Sequence, residues 1–174
     1  MIIHLVRHAE AIERTPQILE EHRFLTRRGR KRFRQVAKSL AKLAIDPDVI
    51  LTSPLVRAVQ TADILAEALR FKGDIVVVPQ LASGFRPEAL DPLLAEYAQA
   101  KEIALVGHEP DFGLVTQALL GTKSPCALPK GGTVSFKRSG ADKGDAVFIH
   151  LVTGGGKIIT SHGKALDRLQ GDGQ

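Results

Sequence analysis

Short apolar runs at residues 2–6, 49–51, 75–78 and 103–106 recur along the chain, with stretches of helical spacing between them. A brief apolar run bounded by charged or turn residues is the pattern of a strand buried on both faces, which a parallel sheet covered by helices on each side provides. The intervening segments agree. Phe33, Val36, Ala37, Leu40 and Ala44 share one face of a helix expected over 26–44, with Thr26 as its N-cap. Asp46-Pro47-Asp48 makes a turn, and after the second strand Ser53 reads as N-cap and Pro54 as first residue of a helix running to about residue 70. Helices over 87–100 and 110–120 follow the third and fourth strands. The expected fold class is α/β: three layers, αβα, with a mostly parallel central sheet, helices on both faces and right-handed crossovers.

After Gly121 the alternation stops. Residues 133–136 and 147–151 read as strands joined by a turn-rich 140–145, giving a C-terminal antiparallel hairpin or edge strand. A single domain is expected over 1–163, followed by a short helix and flexible tail over 164–174. A chain of 174 residues, 44% of them apolar, supports one sizeable core but not two. No apolar run approaches membrane-spanning length and the first residues lack a secretion signal's pattern, so a cytoplasmic monomer with no membrane partner is expected. The one cysteine, Cys126, has no Cys or His at metal-ligand spacing and reads as a small, half-buried apolar residue.

The formal charge of +5 favours acidic partners. Much of it lies between Arg27 and Arg34, where six residues are basic. Helical spacing places most of these cations on a solvated face, although such a face would also suit an acidic phosphoprotein. With aromatics at 5% and no Trp to stack on bases, no nucleic-acid partner is expected.

In open parallel sheets ligands bind beyond the carboxyl ends of the strands. The polar residues there are Arg7 and His8 after the first strand, Ser53 and, a turn later, Arg57 after the second, and His108 after the fourth. Two guanidinium forks and one imidazole suit a phosphoryl group, whose transition-state charge spreads over three oxygens, and they leave the second imidazole free to attack. Helical side chains lean towards the N-terminus, so Arg57 should reach the anion-friendly opening of its own helix. No metal or cofactor is expected. His4 and His8 lie roughly 13 Å apart in extended chain, and of the carboxylates near the first loop only Glu10, Glu13, Glu20 and Glu21 leave magnesium open.

Leu5-Val6-Arg7-His8-Ala9-Glu10 resembles the Arg-His-Gly signature of the histidine phosphatase superfamily (phosphoglycerate mutase-like). The segment from Thr52-Ser53-Pro54 through Arg57-Ala58 to Gln60-Thr61-Ala62 is similar to that family's Ser-Pro-x-x-Arg-Ala-x-Gln-Thr-Ala, Val106-Gly107-His108-Glu109-Pro110 to its second histidine motif, and Leu25-Thr26-x-x-Gly29 fits as well. The four occur in the family's order, over residues 3 to 120. The resemblance implies a metal-free phosphatase in which His8 becomes phosphohistidine while Arg7, Arg57 and His108 hold the phosphoryl oxygens. Thr26, Ser53 and Lys130, the last beside Gly131-Gly132, are accessory candidates.

The short chain without a lid-like insertion resembles the SixA-type phosphohistidine phosphatase branch. Relatives that cleave esters generally supply an acid after the third strand, but residues 79–87 contain none before Glu88. An alkoxide needs a proton to leave, whereas an imidazole can leave neutral. The expected substrate is therefore a phosphohistidine in a protein. The alternatives are small phosphate esters or nucleotides, with Glu10, Glu13 or Glu88 as acid, and a non-catalytic phosphoprotein- or nucleic-acid-binding domain. Ala9 replaces the signature glycine.

Overall fold

The computed structural model describes residues 1–139 and 146–171. Its elements are β1 (Ile2–Arg7), α1 (Arg27–Lys42), β2 (Val49–Thr52), α2 (Val56–Leu69), β3 (Asp74–Val77), α3 (Leu90–Ala95), β4 (Glu102–Gly107), α4 (Asp111–Leu120), β5 (Thr133–Arg138), β6 (Ala146–Val152), β7 (Ile158–Ile159) and α5 (His162–Gln170). The strands form one sheet in the order β3-β2-β4-β1-β5-β6-β7. From β3 to β1 neighbours run parallel, and from β1 to β7 they run antiparallel. The α/β expectation holds, with the sheet more evenly mixed than the first four apolar runs suggest.

Alternation within the strands sorts the core into two layers. Ile3, Leu5, Leu51, Ile103 and Leu105 face one side, where Leu93 and Leu94 of α3, Phe112 and Val115 of α4, and Ala165 and Leu169 of α5 cover them. Val6, Ile50, Ala104 and Val106 face the other, against Phe33, Val36, Ala37 and Leu40 of α1 and Ala58, Ala62 and Leu65 of α2. Successive side chains of a strand point to opposite faces, so a run apolar at every position demands helices on both.

The differences from expectation are local and have identifiable causes. The helix expected over 87–100 is a 3-10 turn, Pro87–Ala89, leading into α3, which ends at Ala95. Pro92 offers no backbone N–H in this stretch, so the helical ladder is weakened where it would have to be continuous. Ser53 is not the cap of α2: the helix starts at Val56 with Leu55 at the N-cap position, and the Ser53 hydroxyl, two residues earlier, accepts from the Leu55 N–H and meets His108. The hairpin of β5 and β6 is not the sheet edge, since β5 pairs with β1 and β7 lies outermost. Its connection and the last three residues lie outside the described residues. α5 begins at His162, ahead of the expected 164.

Gly29 carries a close approach that its place in α1 does not reveal. A Cβ there would lie 2.1 Å from the backbone oxygen of Glu10. This oxygen also accepts from the Thr26 N–H at 3.0 Å, so the loop after β1 is clamped to the start of α1. No helix is long and apolar enough to cross a membrane among the described residues.

Candidate active site

Register builds the site. Arg7 of β1 pairs with Gly107 of β4, and Thr52 of β2 pairs with Val106 on β4's other side. The ladder continues one residue past each strand: His8 N–H donates to Gly107 O at 3.0 Å and Ser53 N–H to Val106 O at 2.9 Å. Three strand ends therefore deliver His8, Ser53 and His108 side by side.

The His8 ring is oriented by two contacts. Nδ1 lies 2.7 Å from the carbonyl oxygen of Ala9, which can only accept, so Nδ1 carries the proton. Nε2 then presents its lone pair, and the Nε–H of Arg57 approaches it at 3.3 Å. Burial, with smaller contributions from His108, Arg57 and Arg7, pushes the imidazole pKa down to about 3, against an upward pull from the Ala9 carbonyl. The ring is neutral at physiological pH, as a nucleophilic nitrogen must be.

His108 stands opposite, its ring centroid 5.1 Å from that of His8 and tilted by 56°. Its Nε2 is 2.7 Å from Ser53 Oγ, which also accepts from Leu55 N–H at 3.2 Å. Nδ1 of His108 is buried without a protein partner, and when the Ser53 hydroxyl donates to Nε2 this nitrogen carries the ring proton as a free donor. Nε of Arg7 is likewise buried and unpartnered. Buried donors are nearly always satisfied, so the unpartnered nitrogens of His108 and Arg7 each leave room for an acceptor. Burial and the Arg57 charge lower the His108 pKa to about 4.

Arg57, only 4% exposed, reaches back from the second residue of α2 as the lean of helical side chains requires. Nη1 donates to Glu20 O at 2.8 Å and Nη2 pairs with the Glu20 carboxylate at 3.0 Å. Glu20 also meets Arg14 and Arg23, and these bonds hold its pKa down to about 2. Arg7 donates from Nη1 to Leu128 O at 2.5 Å.

His8, Arg57, His108 and Ser53 thus come together, with Arg7 at their flank. Lys130 does not join them: it lines a neighbouring cavity that Arg7 borders and that His8, Ser53, Arg57 and His108 do not. Thr26 has another occupation: its Oγ1 accepts from Gly29 N–H at 2.8 Å, capping α1, and donates to Glu10 at 3.0 Å. Among the acid candidates, Glu10 is ion-paired with Arg28 at 2.6 Å, while Glu13 and Glu88 are exposed. Ala9 has no positive φ, so its Cβ is accommodated in place of glycine. Among the described residues no three His, Cys, Asp or Glu side chains converge as metal ligands do.

Sequence reading missed two carboxyls. Glu20 stood out only as a conceivable magnesium ligand, and its hold on Arg57 depends on how a 19-residue loop between β1 and α1 folds back, which no spacing encodes. Glu109 seemed merely to precede Pro110. It is half-buried, accepts from Leu128 N–H at 3.1 Å and has its pKa pushed up to about 7 by desolvation of its carboxyl. The one signal available in the sequence is Arg7, whose strand end pairs with Gly107 two residues before Glu109 and whose charge acts on its carboxyl.

These shifts set the pH dependence of stability. His8, His108 and the buried His150 have folded pKa values of about 3, 4 and 4, below the ordinary 6.5. The unfolded chain takes up their protons below pH 6.5 and the folded chain does not, so their contribution to stability falls as pH drops from 6.5 towards 4. Glu109 acts oppositely, since its raised pKa gives a contribution that is lost as pH rises through about 7. Three groups outweigh one. Urea melts should show stability falling on the order of 1–3 kcal/mol per pH unit between pH 6 and 4.5; constant or rising stability there would contradict the burial of neutral imidazoles.

Comparison with known proteins identifies the arrangement. Residues 3–83 match the histidine phosphatase superfamily (branch 1). An uncharacterized protein of Picosynechococcus sp. is 36% identical over 149 residues, 81% of this chain and 87% of the relative. The chain belongs to the histidine phosphatase superfamily. The described fold is that of solved histidine phosphatases. The protein histidine phosphatase SixA complexed with tungstate superposes with a TM-score of 0.77 at 20% identity, covering 88% of this chain and 97% of that one. The alpha-ribazole phosphatase from Shigella flexneri gives 0.66 at 17% identity, covering 92% and 96%. A histidine phosphatase hydrolyses a phosphoryl bond, and that is the reaction class of this chain.

Proposed function

We propose that the chain removes the phosphoryl group from phosphohistidine in a protein, through a covalent intermediate on His8, without a metal or cofactor. Nε2 of His8 attacks phosphorus and forms a new P–N bond as the bond to the substrate's imidazole breaks. The leaving ring departs neutral when its other nitrogen carries a proton. Arg57, the Nδ1–H of His108 and Arg7 take the phosphoryl oxygens, whose charge they match in a largely buried setting. Water then cleaves the P–N bond on His8, releasing inorganic phosphate.

The observation that carries the substrate class is the state of the nearby carboxyls. Glu20 and Glu10 are bound to arginines and held below the ordinary carboxylate pKa, so both are ionised and neither carries a proton for an alkoxide. Glu109 is protonated in part but is directed at the backbone N–H groups of Leu128 and Gly113. Without an acid, a phosphorus–nitrogen bond is the easier one to break. The likeness to the protein histidine phosphatase SixA supports this reading through the fold.

The likeness to an alpha-ribazole phosphatase keeps small phosphate esters as the second reading. A turnover panel separates them. A phosphohistidine peptide should exceed simple alkyl phosphates by about 100-fold or more in kcat/KM, the scale of a missing general acid; equal turnover would favour the ester reading.

A further inference from the structure

Beside the His8 centre lies a concave feature that shares only Arg7 with the proposed reaction. A cavity of about 580 Å³ opens between α1, the loop before β5, the loop after β6 and α5. Arg28 and Arg32, one turn apart on α1, Lys130 from the loop and Arg168 from α5 line it, with Arg7 at one side. Five cations thus meet one carboxylate, Glu10, which is already taken by Arg28. Arg32, Lys130 and Arg168 form no ion pair among the described residues. Cations brought to one concavity from three separate segments repel one another, and a bound anion offsets that repulsion.

Arg7 joins this cavity to the reaction centre, because it lines the former while its charge is felt by both His8 and His108. The cavity's aromatic member, Phe33, is 1% exposed, so no ring face is offered to a base or sugar. Guanidinium forks without an aromatic platform select phosphate oxygens. The basic run of α1 is therefore not uniform: Arg28 and Arg32 face the cavity, whereas Arg30 and Arg34 do not line it.

We propose that this cavity is a second phosphate-binding site, contiguous with the His8 centre through Arg7 and separate from the transferred phosphoryl group. Its charge stands whether or not His8 is a nucleophile, so binding can be read without turnover. The phosphate would come either from a second phosphoryl group on the substrate or from a free anion.

The experiment titrates the full chain, and its His8→Ala variant, with inorganic tripolyphosphate by calorimetry at fixed ionic strength. Both should bind it, and Arg32→Ala/Arg168→Ala should weaken binding by about tenfold or more. Arg30→Ala/Arg34→Ala removes the same formal charge outside the cavity and should change binding by less than about threefold. Equal losses in the two double variants would reduce the effect to net charge and overturn the site, as would undiminished binding in Arg32→Ala/Arg168→Ala. A second arm compares phosphohistidine peptides with and without a neighbouring phosphoserine. A lower KM for the doubly phosphorylated peptide that vanishes in Arg32→Ala/Arg168→Ala assigns the second phosphate to the substrate. Equal KM values, with tripolyphosphate binding still sensitive to that variant, assign it to a free anion. If no peptide is turned over, the proposed reaction fails while the calorimetric result stands.

Discussion

His8→Ala should lower kcat by about 10⁴-fold or more while the chain stays folded. The size follows from what the side chain does. Removing a nucleophile removes the covalent route, leaving only what the surrounding donors contribute through binding. Folding should survive because the imidazole makes only the bond to Ala9 O and the long contact from Arg57, and burial of its neutral ring requires a desolvation that alanine avoids. His8→Asn is a useful companion, since it keeps a polar side chain without a nucleophilic nitrogen. Kinetics on a phosphohistidine peptide, with thermal melts as the folding control, check both; a loss smaller than about tenfold would remove His8 from the reaction.

Arg57→Ala comes second, with an expected loss of about 10²–10³-fold in kcat, the scale reported for removing one donor to a developing oxyanion. Here two effects act together. The phosphoryl group loses a fork, and Glu20, which the Arg57 guanidinium binds at both its backbone carbonyl and its carboxylate, loses one of its three arginines next to the site. Glu20→Gln separates them, because it keeps the backbone oxygen that accepts from Arg57 while deleting the negative charge. Its kcat should fall far less than that of Arg57→Ala. Arg57→Lys restores charge without the planar fork and should recover only part of the loss. A wild-type kcat in Arg57→Ala would show that the guanidinium serves the loop and not the phosphoryl group.

Much of this architecture is legible in the sequence because the chain repeats one physical device. A strand apolar at every position needs helices on both sides, and polar residues just past such strands must lie at one edge. That logic locates Arg7, His8, Arg57 and His108 from the sequence, and β-strand register places three of the strand ends side by side. What spacing did not encode is how loops fold back. Glu20 reaches Arg57 from a loop, and Glu109 accepts from the Leu128 N–H of a separate segment. Ser53 shows a different limit. Its sequence context fits a helix cap, but α2 starts at Val56, so its hydroxyl accepts from Leu55 N–H just before the helix while also meeting the buried imidazole of His108. The third helix ends at Ala95, short of where apolar spacing carries the expected helix, because the chain passes into turns from Glu96.

The basic run of α1 illustrates the same boundary. Helical spacing correctly puts these residues opposite the apolar face, but only the folded chain shows that Arg28 and Arg32 converge with Arg168, more than a hundred residues later, on one cavity.

Rapid quench on a phosphohistidine peptide labelled in its phosphoryl group tests the central claim most directly. The wild-type chain should accumulate a phosphoenzyme that survives base and is lost in acid, as a P–N bond is, and His8→Ala should form none. A phosphoenzyme of undiminished amplitude in His8→Ala, or one stable to acid, would contradict a phosphohistidine at His8.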